Sequence, residues 1–229
     1  MREKEAWKKY SSEEKQQVME FAETYRRFIS DCKTERECVD EIKKQALQAG
    51  FEDMQEVIAS GKKLQPGDRV FADNKGKSMA LYIIGRQPME QGLNILGAHI
   101  DSPRLDLKQN PLYEDTNLAL LDTHYYGGVK KYQWVALPLA LHGVVVRKDG
   151  TKAVVNIGEK PEDPVFGVSD LLIHLAGKQL QKKAAEVIEG ENLDILIGSR
   201  PLNEESDEKK KEAVKSNVLR ILKEKYDVE

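Results

Sequence analysis

Apolar residues recur every three or four positions through the first fifty residues, which is the spacing of amphipathic helices. Ser11 with Glu14, and Thr34 with Glu37, have the spacing of a capping box, in which a side chain closes the first turn of a helix. Gly50 follows the second periodic run and is a natural residue for ending a helix. The pattern therefore predicts that the chain opens with two helices.

Strand-like runs follow from Val70 onward. Met79 to Ile84 comes after a turn signal at Asp73 to Gly76, so a hairpin is predicted. Leu93 to Asp101 has the composition of a largely buried strand that ends in polar residues. From about residue 105 to 157 the pattern is rich in strand signals, and further candidates are Leu118–Leu121, Leu139–Val146, Lys152–Ile157 and Leu193–Ile197.

Two later segments have helical periodicity. Ser169 to Lys182 is predicted to be a helix that begins near Asp170, and Asp207 to Tyr226 is predicted to be a charged helix with one apolar stripe. A polar, acidic stretch from Asn203 to Asp207 precedes the second of them. Helices and strands together indicate an α/β fold class.

Composition narrows the class of protein without identifying it. The chain has 229 residues, 40% of them hydrophobic and 33% charged, with a net charge of −3. This near balance gives no reason to expect a nucleic-acid partner, and no apolar run approaches the roughly 20 residues of a membrane span. The beginning of the chain lacks the apolar core of a signal peptide, and Cys32 and Cys38 do not form a disulfide framework, so we expect a cytoplasmic location.

The main chemical signal is His99 with Asp101 at the end of the predicted strand. Residues two apart on a strand point to the same face, so Asp101 could accept the second ring N–H of His99 and orient its other nitrogen toward a metal ion. Alternatively, Asp101 could lie beside a metal-bound water. The simpler interpretation is a polar cap at a strand end, since a His-x-Asp pair alone is weakly specific.

Longer motifs around this pair resemble the aspartyl aminopeptidase family of dinuclear zinc aminopeptidases. Gly97-Ala98-His99-Ile100-Asp101-Ser102-Pro103-Arg104-Leu105 is similar to the first metal-ligand motif of that family. The run Leu137 to Val145, preceded by Tyr126-Gly127-Gly128 and Trp134, resembles the opening of its dimerisation domain. Val168 to Leu175 resembles its helix that carries a histidine into a neighbouring subunit's active site. The resemblance spans roughly residues 12 to 202 and covers only the N-terminal half of such a protein.

The resemblance implies roles for three residues of this chain. His99 would be a metal ligand, Asp101 the catalytic acidic residue that orients it, and His174 a substrate-binding residue that acts in another subunit. His124 and His142 lie in no motif that would make them metal ligands. The family's bridging aspartate, its glutamate general base, the further carboxylate ligands and the second metal histidine have no counterpart before Glu229, so the 229 residues alone are expected to be inactive.

The resemblance also implies an organisation and a function. Residues 1–103 would form the N-terminal part of a metallopeptidase catalytic domain, residues 104–205 a β-rich dimerisation domain inserted in it, and residues 206–229 a helix that returns to the catalytic domain. The complete protein would be a homo-oligomer, built from dimers into a larger closed assembly, that removes N-terminal residues, possibly acidic ones, from peptides. It would hold two Zn²⁺ ions per subunit, with Co²⁺ or Mn²⁺ as alternatives.

Two other interpretations remain open at this point. The chain could be a non-catalytic fragment that only assembles through its dimerisation domain. It could instead be an unrelated mononuclear zinc hydrolase, which would need at least two more protein ligands near His99.

Overall fold

The computed structural model describes residues 5–202 and 212–227. The chain divides into two compact units, one ending at Ser102 and the other beginning at Pro103. We describe each unit separately. Among the residues described, no helix is both long enough and apolar enough to span a membrane.

The first unit combines helices with a three-stranded sheet. Its helices are α1 (Ala6–Lys9), α2 (Ser12–Asp31), α3 (Glu35–Gln48) and α4 (Met54–Ser60). Its strands are β1 (Glu52–Asp53), β2 (Arg69–Asn74) and β3 (Ser78–Ile83), and they lie in the order β1-β2-β3.

Both predicted capping boxes are present at the starts of α2 and α3. The Glu14 carboxylate accepts from the Ser11 N–H at 2.7 Å, and the Ser11 hydroxyl accepts from the Glu14 N–H at 3.1 Å. The corresponding reciprocal bonds join Thr34 and Glu37. These bonds satisfy N–H groups that have no partner within the helix, which is why the sequence pattern located both starts correctly.

The predicted hairpin is also confirmed. β2 and β3 pair antiparallel from Arg69 with Ile83 to Asn74 with Ser78. The Asp73 carboxylate accepts the Gly76 N–H at 2.7 Å within the turn, and Gly76 has a positive φ of 65°. Val70 and Phe71 of β2 are fully buried and form the core of this unit together with residues of α3 and α4.

The second unit is rich in strands. Strands β4 (Arg104–Asp115), β5 (Leu118–Tyr126) and β8 (Ile195–Gly198) form one antiparallel sheet, while β6 (Leu141–Val146) and β7 (Lys152–Ile157) form a hairpin. The register of β4 against β5 shifts between Leu107 and Leu112, the stretch that contains Pro111, which has no N–H for a ladder bond. The core consists of Leu121, Val168, Ile188, Leu193 and Ile195.

The last helix, α5 (Ala213–Tyr226), packs on the sheet of the second unit. Val214 is buried, and the N–H of Lys215 donates to the Glu114 carboxylate of β4 at 2.9 Å. That residues 206–229 form a helix returning to the catalytic domain stays a prediction. Contacts with β4, β5 and β8 account for the observed placement, while the predicted start of this helix at Asp207 lies outside the described residues.

Two predicted elements are wrong. The predicted strand from Leu93 to Asp101 is not formed, because its backbone pairs with no other strand in the part of the chain that the structure describes. Residues 169–182 form turns and a short 3₁₀ segment at Gln179–Gln181 in place of a long helix. An amphipathic helix is stabilised mainly by packing of its apolar face, and here Leu171, Leu172, Ile173 and Leu175 are all exposed.

Candidate metal site

His99 and Asp101 lie in the irregular segment that leads from the first sheet toward the end of the first unit. The Nδ1 atom of His99 lies 3.0 Å from the backbone oxygen of Asp101 and 3.4 Å from its carboxylate oxygen Oδ1. Both neighbours can only accept hydrogen bonds, so they favour the tautomer that carries the proton on Nδ1. That tautomer leaves a lone pair on Nε2, the atom that can bind a metal ion.

The sequence predicts that the Asp101 carboxylate orients His99. In the structure the closer contact is made by the backbone oxygen of Asp101, with the carboxylate slightly farther away. The His99 side chain is 85% exposed, so its Nε2 can be reached by a ligand from outside the first unit. The predicted metal-binding role of His99 remains a prediction, and its ring orientation is compatible with that role.

The thiol of Cys38, on α3, contacts the backbone of the segment that carries His99 and Asp101. Its Sγ atom donates to the backbone oxygen of Ile100 at 3.6 Å, between the two candidate site residues. Cys38 is buried on α3, and burial raises the pKa of its thiol. Burial also raises the pKa of the neighbouring Cys32 thiol, to about 11. Both thiols therefore stay protonated near neutral pH, as the donor in this bond requires.

The contact between Cys38 and Ile100 was not predictable from the sequence. The residues are separated by 62 positions, and two cysteines six apart match no motif of metal binding or redox chemistry. Only the spacing of Cys38 on the buried face of α3, next to the fully buried Val39, indicates that it points inward.

The other histidines have different surroundings. The His142 Nε2 atom lies 2.8 Å from a carboxylate oxygen of Glu159, and the ring of His124 stacks on that of Tyr125 with centroids 5.4 Å apart. Neither histidine belongs to a group of metal-binding side chains. Within residues 5–202 and 212–227, no three or more His, Cys, Asp or Glu side chains form a group that could hold a metal ion. The mononuclear alternative requires such a group.

His174 lies in the second unit, in the segment that the sequence predicted to be a helix. It is exposed, and so are the leucine and isoleucine side chains on either side of it. The Asp170 carboxylate oxygen Oδ1 accepts from the Leu171 N–H at 2.8 Å and from the Gln179 side chain at 2.9 Å, which holds the two ends of the segment together. His174 is therefore presented on a surface, where its predicted role in another subunit would need it.

The described residues are compatible with one ligand of a zinc site, His99, and do not form a complete set of ligands. His99 offers a single imidazole nitrogen, Nε2, while its Nδ1 faces acceptor atoms of Asp101, and a two-metal hydrolase needs several more carboxylate and imidazole ligands. Residues 28–229 match the family model for the aminopeptidase I zinc metalloproteases (M18). The match to this zinc metalloprotease family covers most of the chain, and its fold class is mixed α/β.

Comparison with individual proteins agrees with this class. The chain is 57% identical over 225 residues to the probable M18 family aminopeptidase 1 of Clostridium acetobutylicum, covering 98% of this chain and 48% of that relative. The crystal structure of the Thermotoga maritima M18 aminopeptidase superposes with a TM-score of 0.89 at 43% identity, covering 100% of this chain and 48% of that one. The chain belongs to the M18 aminopeptidase family.

A more distant structure shows the fold alone. The S. cerevisiae mApe1 dodecamer is 17% identical, with a TM-score of 0.59 over 91% of this chain. The chain spans about half the length of the relatives that it matches.

Proposed function

We propose that this chain is the N-terminal half of a two-zinc aminopeptidase that removes N-terminal residues, acidic ones among them, from peptides. The observation that carries this proposal is the orientation of His99, whose Nδ1 faces Asp101 and whose exposed Nε2 is left for a metal ion. This pair lies inside the region that matches the M18 family.

Each residue near the site would have a distinct part in the reaction. His99 would bind one of the two zinc ions through Nε2. Asp101 would hold the proton on Nδ1 and so keep the ring in the binding tautomer. Cys38 would fix the backbone between them through Ile100. A dinuclear zinc site polarises the scissile carbonyl and activates water, and Co²⁺ or Mn²⁺ could replace zinc there.

Residues 104–205, which make up most of the second unit, would be the dimerisation domain, inserted into the catalytic domain. Its strand-rich construction and the exposed apolar side chains around His174 support this assignment, since exposed apolar clusters mark protein contacts. His174 would then bind substrate held by another subunit of a closed homo-oligomer. The related yeast protein, whose solved form is a dodecamer, is compatible with such an assembly.

A cytoplasmic location follows from the same proposal. Cys32 and Cys38 are both free thiols, as is usual in a reducing compartment. Neither membranes nor nucleic acids are expected as partners.

An activity measurement tests the proposed function. The chain would be joined to the second half of the C. acetobutylicum relative and assayed with glutamyl and aspartyl peptides in the presence of zinc, cobalt or manganese. We expect activity in the joined protein, none in the 229-residue chain, and loss of activity on His99→Ala. His124→Ala is the matched control, because His124 is a histidine outside the matched motif. Equal activity of both variants would exclude His99 as a ligand.

The non-catalytic alternative predicts a different result. A fragment that only assembles would give no activity even when joined to the second half, although the joined protein folds and oligomerises.

A further inference from the structure

Two buried thiols lie in contact beside the segment that carries His99. Cys32 is the residue that follows α2, and Cys38 lies in the second turn of α3. The Cys32 thiol donates a hydrogen bond to the Cys38 sulfur, and the Cys38 thiol donates to the backbone oxygen of Ile100 at 3.6 Å. The two thiols therefore form a short chain of donors that ends at the residue between His99 and Asp101.

The contact places the two sulfurs where they can react with each other. Both cysteines are free thiols, and a disulfide between them would have a bond of about 2 Å. Cys32 has extended backbone, with φ −110° and ψ 95°, outside both helices. Its side chain and the following Lys33 can therefore adjust to close the bond while α2 and α3 stay in place.

A disulfide would remove the donor that Ile100 uses. The sulfur of a disulfide carries no hydrogen, so Cys38 could no longer donate to the Ile100 oxygen. In the part of the chain that the structure describes, no backbone N–H donates to this oxygen. Oxidation of the thiols would thus release the backbone between His99 and Asp101 from α3.

We propose that Cys32 and Cys38 form a redox switch, in which hydrogen peroxide joins them in a reversible disulfide that weakens zinc binding at His99. The effect on zinc rests on the proposed function, because it requires His99 to be a zinc ligand. Formation of the disulfide does not depend on that role and can be measured separately.

The oxidation is balanced with hydrogen peroxide as the oxidant. The Cys38 thiolate attacks one peroxide oxygen, the O–O bond breaks, and the leaving hydroxide takes up the Cys38 proton as water. The product is a sulfenic acid on Cys38. The Cys32 sulfur then attacks the sulfenic sulfur, the S–S bond forms, and the departing hydroxide leaves as water with the Cys32 proton. Two thiols and one peroxide give one disulfide and two waters.

The surroundings make this switch slow in the oxidising direction and easy to reverse. Burial raises the pKa of both thiols, while the hydrogen bond from Cys32 opposes the rise for Cys38 and favours it as the attacking thiolate. The thiolate fraction near neutral pH is small, so the switch responds to sustained exposure to peroxide. The disulfide closes a loop of only a few residues and is stabilised little by it, so a thiol such as dithiothreitol reduces it readily.

Mass spectrometry tests the first part of the proposal. The 229-residue chain, and the same chain joined to the second half of the C. acetobutylicum relative, would be treated with hydrogen peroxide near neutral pH and digested. We expect a peptide pair in which Cys32 is linked to Cys38 of the same chain, with the loss of two hydrogen atoms. Dithiothreitol should restore both thiols.

Zinc affinity tests the second part in the joined protein. Competition with a chelator, after the oxidant or reductant has been removed, should show about fivefold weaker zinc binding in the oxidised protein, the size expected for one lost hydrogen bond. Reduction should restore the affinity. A loss that is reversed by reduction cannot come from sulfinic acid.

Cys32→Ser is the matched control. It cannot form the disulfide, it leaves the Cys38 donor to Ile100 in place, and it retains every methionine of the chain. Its zinc affinity should therefore be the same before and after peroxide treatment. Cys32→Ala is the second variant without a disulfide, and circular dichroism checks that both variants fold.

Several results would overturn the proposal. They are two thiols that stay reduced under peroxide, a disulfide that joins different chains, equal zinc affinity of the oxidised and reduced proteins, or an equal loss of affinity in Cys32→Ser. Failure of the proposed function gives a separate result: His99→Ala would bind zinc as tightly as the unsubstituted joined protein. That result would remove the effect on zinc and leave the disulfide to be judged by mass spectrometry alone.

Discussion

The thiol of Cys38 donates a hydrogen bond to the backbone oxygen of Ile100 across 3.6 Å. This bond connects the buried face of α3 to the short stretch that presents His99 and Asp101. The nearby segment has no ladder bonds of its own in the described residues, so the position of the candidate ligand depends on contacts such as this one.

Removing the thiol should therefore loosen the site and destabilise the first unit. Cys38→Ala leaves the Ile100 oxygen without this donor and a small gap on α3. We expect a loss of about 1 to 2 kcal/mol in the free energy of unfolding, measured with urea. Cys32→Ala is the comparison, because the Cys32 thiol bonds the Cys38 thiol but not Ile100. A loss in Cys38→Ala no larger than that in Cys32→Ala would contradict a contribution from the Ile100 bond.

The raised pKa of Cys32 predicts slow alkylation and a fall in stability at alkaline pH. Burial, followed by the nearby Cys38, raises this pKa from 9.0 to about 11. The unfolded chain then ionises first, so stability is unaffected below about pH 9 and falls as the pH rises toward 11. At pH 8, iodoacetamide should label the native protein at least about tenfold more slowly than the urea-unfolded protein. Equal labelling rates would contradict the burial of these thiols.

Tyr113 and Asp194 make a polar contact that stabilises the sheet of the second unit. The Tyr113 hydroxyl donates to Asp194 Oδ2 at 2.6 Å, and the Thr123 N–H donates to Oδ1 at 3.2 Å. Burial, and then the hydrogen bond to Asp194, raise the pKa of Tyr113 far above its usual range. Tyr113→Phe should cost about 2 kcal/mol of unfolding free energy, because the carboxylate loses a donor.

Tyr132→Phe is the matched control for this hydroxyl, because Tyr132 is 40% exposed. It should change the free energy of unfolding by less than about 0.5 kcal/mol. Similar effects of the two substitutions would mean that the Tyr113 bond contributes little.

Both its backbone conformation and the space around it require glycine at position 158. Its φ is 107°, and an added Cβ would lie 2.9 Å from the Cα of Ala140. Gly158→Ala should therefore destabilise the hairpin of β6 and β7 by about 2 kcal/mol or more, as seen in thermal unfolding. Gly143→Ala on β6 is the control, because a Cβ there meets no atom within 4 Å. Tolerance of Ala at both positions would contradict the tight approach of Gly158 to Ala140.

Local signals in the sequence predicted much of this fold, and partner-dependent elements were the ones that failed. Ser11 and Thr34 determine the starts of their helices through bonds only three residues away, so the sequence pattern contains the full cause. The segments around Leu96 and Ile173 have the composition of a strand and a helix, but those states need packing partners that the described residues do not supply. The roles of His99, Asp101 and His174 stay predictions, and the geometry around His99 could not be predicted, because the Cys38 bond spans 62 positions and belongs to no motif.

The carboxylate of Asp101 should matter for metal affinity more than for the shape of the site. In Asp101→Asn the backbone oxygen that lies 3.0 Å from His99 Nδ1 remains, so the ring should keep its tautomer. The negative charge 3.4 Å from the same atom is lost, and with it the charged partner that helps to hold the ring toward a metal ion. We expect zinc affinity to fall about 10- to 100-fold in the protein joined to its second half, measured by competition with a chelator. Asp149→Asn, in the turn between β6 and β7, should leave zinc affinity unchanged, and an unchanged affinity in Asp101→Asn as well would assign the orienting role to the backbone alone.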